Sequence, residues 1–158
     1  MTSDDQTTQQ RRDALLQHAR DEHAKLEAFL ATLTDEEQTQ PGVTGDWSIK
    51  DHLAHLTWWE QRVIRMLAGD PDPIDAIPGD ANGEKSEDDI NAYIFAQNHD
   101  RSLADIRSAF DASYQQMLQL IATTPDDIFI ARHDWISGNS DYHYDEHLRM
   151  FQAWRDHA

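Results

Sequence analysis

The sequence contains no cysteine. That excludes disulfides, iron–sulfur clusters, thiolate zinc sites and a cysteine nucleophile. It is compatible with a reducing compartment, and a cytoplasmic protein is the expectation. Lysine is nearly absent, with only Lys25, Lys50 and Lys85. The 30 acidic residues outnumber the 13 basic ones and leave a net charge of −17. A field of that sign repels phosphate backbones and anionic lipid, so neither a nucleic acid nor a membrane surface is an expected partner. No run of about 18 apolar residues occurs, so no membrane-spanning helix is expected. The polar stretch from Met1 to Arg12 lacks the apolar centre of a secretory signal. Of the 30 acidic residues 22 are aspartate. This bias fits a high-salt habitat, where self-repulsion is screened, and equally an ordinary acidic cytoplasmic protein.

What the sequence does have is helical periodicity. At 158 residues it is long enough for one sizeable core. The expected organisation is a single domain over residues 1–158, with 1–8 as a flexible N-terminal tail. From Gln9 to Leu33, Leu15, Leu16, Ala19, His23, Leu26, Phe29, Leu30 and Leu33 recur at three- and four-residue steps, the mark of an amphipathic helix. His18 and His23 stand among charges there and read as surface or boundary residues. Thr34–Glu37 has capping-box spacing and predicts a short helical turn, after which Pro41, Gly42 and Gly45 make an irregular connection.

The second helix has the clearest start. Ser48 is a good N-cap, Asp51 follows three residues on, and Trp47 is placed to pack back on the helix as half of a hydrophobic staple. Its stripe is Ile49, Leu53, Leu56, Trp59, Val63, Met66 and Leu67, and it ends at Ala68–Gly69. At 100° per residue His52 points near the middle of the stripe and His55 to its flank. Residues 69–85 hold Pro71, Pro73, Pro78, Gly79 and Gly83 among aspartates and predict a long loop, either mobile or functional. Ser86 caps a third helix that runs to about Thr123, interrupted at Gln97–Arg101. Pro125 is read as closing that region, with Phe129–Asn139 as a loop. A fourth helix starts at Asn139 or Ser140, with Tyr144, Leu148, Phe151 and Trp154 as its stripe. Four helical segments and no alternating strand predict an all-α bundle.

The chemistry-bearing motif is Asp141–His147. His143 and His147 lie four apart on the fourth helix, so their rings share one face. Two imidazoles leave a coordination shell unfinished, and the Asp51–Leu56 segment offers His52 and His55 as a third. Three neutral imidazoles with open positions suit zinc, nickel or iron. Asp141, Asp145 and Glu146 are available to orient the rings. The alternative is that His143 bonds at the bundle end while His147 is a satisfied core residue.

A family resemblance rests on Gly45-Asp46-Trp47-Ser48-Ile49-Lys50-Asp51, then Leu53-Ala54-His55-Leu56 and Trp59-Glu60. It continues through Ile90-Asn91, Asn98, Asp100–Leu103 and Ser113–Gln116 to Gly138–Tyr144, Glu146–Leu148 and Trp154. This pattern resembles the ClbS/DfsB family of the DinB-like four-helix bundles. The resemblance implies an up-down-down-up bundle with long connections. It also implies His55, His143 and His147 as ligands of a divalent metal (zinc, nickel or iron), with His52 incidental. The activity implied is that of a hydrolase acting on a reactive electrophilic small molecule, in detoxification or self-resistance. His55 and His143 would serve catalysis, with Tyr144 and Glu60 as acid or orienting groups and Trp47, Trp58, Trp59 and Trp135 around an apolar pocket. Alternatives are a metal-dependent thiol transferase and a non-catalytic small-molecule-binding bundle. The partner implied is a small-molecule substrate, and a homodimer is the assembly common in the superfamily.

Overall fold

The computed structural model describes residues 3–157, with side chains described from Thr7 onward. Among these residues lie seven α-helices, one 3-10 turn and no β-strand. The helices are α1 (Ser3–Leu30), α2 (Asp35–Thr39), α3 (Ile49–Ala68), α4 (Glu87–Asn98), α5 (Leu103–Thr123), α6 (Asp126–Gly138) and α7 (Asp141–Asp156), with the 3-10 turn at Pro73–Ala76. Residues 3–8, expected as a tail, belong to α1, whereas Met1 and Thr2 lie outside the described residues.

Capping chemistry sets most of these boundaries. Thr34, Ser48 and Ser86 each close a full capping box, with Glu37, Asp51 and Asp89 answering at N3. Gly69 ends α3 in the left-handed region (φ 78°), where a side chain would be strained. The interrupted stripe after Ser86 is a true break between α4 and α5. Ser102 caps α5, and Lys50 reaches across from α3 to donate to the carbonyls of His99 and Arg101 at 2.6 and 2.8 Å.

One element departs from the sequence reading. Residues 129–138, expected as a loop, are helical within α6. Pro125 does not only stop α5. It stands at the N-cap of α6, where its fixed φ suits a helix start and no N–H is needed, and Asp126 and Asp127 fill the first turn. Arg12, buried beneath α6, donates to the carbonyl of Ile121 (2.6 Å) and to Asp126 (2.5 Å), and lies over the Phe129 ring.

The cross-helix contacts give the topology. Along α1 and α7, His18 meets Asp141 and Thr32 meets Arg155, so the two run parallel. Along α3 and α7, His52 meets His147 while Glu60 meets Tyr144, so these are antiparallel. Glu27 of α1 pairs with Arg107 of α5 and Arg12 with Ile121, again antiparallel. The chain is therefore an all-α, up-down-down-up bundle of α1, α3, α5 and α7. The long connection through α4 returns the chain so that α5 can run alongside α3.

The main core joins all four long helices through fully buried residues such as Leu26, Leu53, Phe110, Met117, Tyr144 and Phe151. His23, read as a boundary residue, is instead inside it, stacked on Tyr114 with ring centroids 3.5 Å apart. Burial lowers its pKa to about 4, so the ring is neutral. A second, smaller core joins Ile77, Ile90 and Ile94 with Trp58, Trp59, Ile74 and Tyr93. It anchors the 69–85 connection, which is further tied by the Arg62–Asp72 pair (2.9 Å) and by Lys85 donating to the Ile74 carbonyl (2.5 Å). No helix among the described residues is long and apolar enough to cross a membrane.

Candidate metal centre

Because α3 and α7 are antiparallel and meet along their first halves, one turn of each presents its histidines to the other. His55 Nε2 lies 3.1 Å from His143 Nε2, and His147 Nε2 lies 3.2 Å from the same atom. One nitrogen from each of the three falls within 4.8 Å of the others. The rings are buried, at 7 %, 9 % and 5 % exposure for His55, His143 and His147.

These distances test the fit to a metal ion. Two imidazole nitrogens about 2.0–2.1 Å from one ion at a tetrahedral angle stand about 3.3 Å apart, and closer at smaller angles. The two spacings at His143 Nε2, 3.1 and 3.2 Å, match. The protonation state matches too. Burial lowers His55 to about 3, helped by His143 and His52 and opposed by a contact with the Asn91 amide. Burial lowers His143 to about 4 and holds His147 well below the ordinary value, the neighbouring rings adding to both. All three are neutral at neutral pH and so present lone pairs. His143 Nε2 offers either one proton or one lone pair, so it cannot satisfy both of the Nε2 atoms that face it by hydrogen bonds. Three buried histidines so placed are able to hold a divalent metal.

Two adjoining clefts reach the cluster. One, of about 400 Å³, is bordered by Trp47, by Asp88 and Asn91 at the start of α4, and by Met150 on α7. The other, of about 390 Å³, is bordered by Trp59, Ile90 and Asn139. Glu87 and Glu146 line both, and neither cleft is lined by lysine or arginine. The mouth is therefore anionic.

Of the residues singled out from the sequence, the structure brings His55, His143 and His147 together. It does not bring Glu60 and Tyr144 to the clefts. Both are fully buried; Tyr144 Oη donates a short hydrogen bond to Glu60 Oε2, and Ser113 donates to Glu60 Oε1 at 2.7 Å. Although Tyr144 adjoins His143 in sequence, it points a third of a turn away into the core. Two of the three acidic residues expected to orient the rings are also engaged elsewhere, and Glu146 lines both clefts. Asp141 accepts from Ser137 (2.8 Å) and meets His18 (2.5 Å), and Asp145 pairs with Arg149. The Nδ1 atoms of His55 and His143 are buried without a hydrogen-bond partner. Trp47 and Trp59 border the clefts, whereas Trp58 and Trp135 do not.

His52 is the residue that sequence reasoning set aside. Its Nδ1 lies 2.9 Å from Nδ1 of His147, and its Nε2 lies 2.8 Å from the Thr44 hydroxyl. Its position in the middle of the α3 stripe was the signal. Trp47, the expected staple residue, packs against this ring at 5.1 Å.

Among curated proteins none matches this chain. A solved structure, an uncharacterised protein from Escherichia coli UTI89, shares its fold with a TM-score of 0.74, covering 92 % of this chain and 93 % of that one. At 18 % identity that likeness speaks to fold alone. The family model described as DinB superfamily matches residues 18–152, which take in part or all of each helix of the bundle and all four clustered histidines. The chain belongs to the DinB superfamily.

Proposed function

We propose that this protein is a metal-dependent hydrolase of the ClbS/DfsB type, acting on a reactive electrophilic small molecule in detoxification or self-resistance. The observation that carries the reading is the convergence of three neutral, buried Nε2 atoms at the floor of a solvent-reached cleft. His55, His143 and His147 would hold the ion. A divalent metal bound there supplies Lewis acidity and makes water a stronger nucleophile near neutral pH.

The remaining work falls to this chain's own side chains. Trp47 and Trp59 give the clefts apolar walls against which a small ligand loses water. Glu146, at the mouth of both clefts, is the carboxylate available to take the proton that attacking water gives up. The mouth also favours water over the thiol of a transferase. Glu87, Asp88 and Glu146 repel a thiol that carries carboxylates of its own and admit a neutral or cationic electrophile.

The test begins with the metal content of tag-free protein. Turnover of a strained-ring electrophile by zinc-, nickel- and iron-loaded protein is then followed, with and without added thiol. Stoichiometric metal and thiol-independent turnover, lost in folded His55→Ala and His143→Ala, is the expected result. Protein that binds no divalent ion, or turnover that survives those substitutions, overturns the reading. Turnover that requires the thiol moves the assignment to a transferase.

A further inference from the structure

The site as described has three ligands, but a fourth histidine touches it from behind. His52 cannot reach the cluster centre itself, because its Nδ1 faces His147 Nδ1 (2.9 Å) and its Nε2 faces Thr44 Oγ1 (2.8 Å). The His147 ring stands between His52 and the point where the Nε2 atoms meet.

Two ring nitrogens 2.9 Å apart share one hydrogen bond, so one of them carries the proton and the other accepts it. Only two arrangements exist for neutral rings. In the first, His147 carries its proton on Nδ1 and donates to His52 Nδ1. His52 then carries its own proton on Nε2 and donates to Thr44. His147 Nε2 is left as a bare lone pair facing His143 and His55. In the second, His52 donates to His147, which must then carry its proton on Nε2. That proton points at His143 Nε2, 3.2 Å away, and closes the cluster to a cation. The same two imidazoles and one hydroxyl therefore specify either an open or a blocked ligand set.

We propose that His52, backed by Thr44, is a positioning residue that holds His147 in the Nδ1-protonated tautomer, so that Nε2 faces the cluster unprotonated. Hydrogen bonding at the far nitrogen of a ligating imidazole fixes its tautomer and orientation. The roles usually given to carboxylates or backbone carbonyls fall here to another histidine. His143, whose Nδ1 lacks a partner, has no such support, and His55 has only the Asn91 amide beside it, so His147 is the ligand whose far nitrogen another imidazole holds. Trp47, against the His52 ring, and Phe151, edge-on to it at 5.4 Å, keep the relay in place.

The inference rests on the three-histidine metal reading, and the experiment separates the two. Nitrogen-15 correlation spectra of the metal-free full-length protein near neutral pH report the tautomer of each histidine directly. Zinc titration of the same samples reports affinity. The expected spectrum of the wild type has His147 protonated on Nδ1 and His52 on Nε2. In His52→Leu, which keeps bulk but loses the acceptor, His147 becomes a mixture of tautomers and zinc binds about 10- to 100-fold more weakly. His52→Gln, whose amide oxygen can accept the same hydrogen bond, restores affinity to within a few-fold. Thr44→Val removes only the outer link and gives a smaller loss. A purely structural role would lower melting temperature without moving the tautomers. His147 protonated on Nε2 in the wild type, or undiminished zinc affinity in His52→Leu, overturns the proposal. If His52→Leu does not fold, His52→Gln and Thr44→Val decide, with equal tautomers and affinities in both counting against it. A wild type that binds no zinc refutes the metal reading, while its spectrum still decides the tautomer.

Discussion

Glu60 and His55 stand five residues apart on α3, and each meets α7 across the same seam, yet the two contacts are built on opposite terms. Around Glu60 each carboxyl oxygen has a hydroxyl partner, one from Tyr144 and one from Ser113, and no cleft reaches the group. Around His55 three Nε2 atoms converge with too few partners to satisfy them all, two Nδ1 atoms have no hydrogen-bond partner, and two clefts open onto the rings. Buried polar groups normally find partners within the protein. A network that closes on itself holds helices together. One that leaves convergent acceptors unsatisfied is shaped for something that arrives from outside.

The comparison can be broken most sharply at His143. His143→Ala removes the nitrogen that the other two face, and zinc affinity should fall at least about 1,000-fold, or about 4 kcal/mol. The metal-free melting temperature should stay within a few degrees, because His143 lines the clefts and stands outside the apolar core that joins the helices. Calorimetric titration and thermal melting check both halves, and a collapse of the metal-free fold would make the cluster structural.

At the other contact the expected pattern reverses. Tyr144→Phe strips the partner from a buried oxygen, a loss of about 1–3 kcal/mol. For a domain of this size each kcal/mol moves the melting temperature by about 2–4 °C. Zinc affinity should change by less than about threefold, and a large change would tie Glu60 and Tyr144 back to the chemistry.

Burial raises the pKa of Glu60 from 4.5 to about 8, against the pull of Tyr144 and Ser113. The folded state therefore holds this proton after the unfolded chain has released it. That contribution is complete below pH 4.5 and declines as pH rises towards 8. Urea titrations of metal-free protein across this range should show the decline, and Glu60→Gln should flatten it. The smallest expected effect is at Ser48, whose capping box opens α3 just before His52. Ser48→Ala should cost about 1 kcal/mol by denaturation, with the site intact.

Local chemistry made much of the bundle legible. Ser48 with Asp51, Thr34 with Glu37 and the stop at Gly69 depend only on near neighbours, and their helices appear where expected. Pro125 misled because the same residue that ends one helix suits the start of the next, and nothing local says how soon a new helix begins. In the site, four-residue spacing placed His143 beside His147 without reference to the rest of the chain. The choice between His52 and His55 was different. Both are buried and both touch α7, so the angle on α3 could not say which meets the Nε2 atoms and which sits behind them. That depends on how α3 rolls against α7, which is a property of the packed bundle. The pairing of Glu60 with Tyr144 depends on the same roll: each lies on the core side of its helix, facing the other.

The two separate cores carry a consequence for how such a protein diversifies. Ile77, Ile90 and Ile94 knit α4 to the outside of α3, and none of them belongs to the cluster that unites the four long helices. Glu87, Asp88 and Asn91 ride on that outer unit, while the imidazoles are rooted in the bundle. Changes that reshape or recharge the portal can therefore accumulate on one module without taxing the other, leaving the chemistry fixed while its clientele changes.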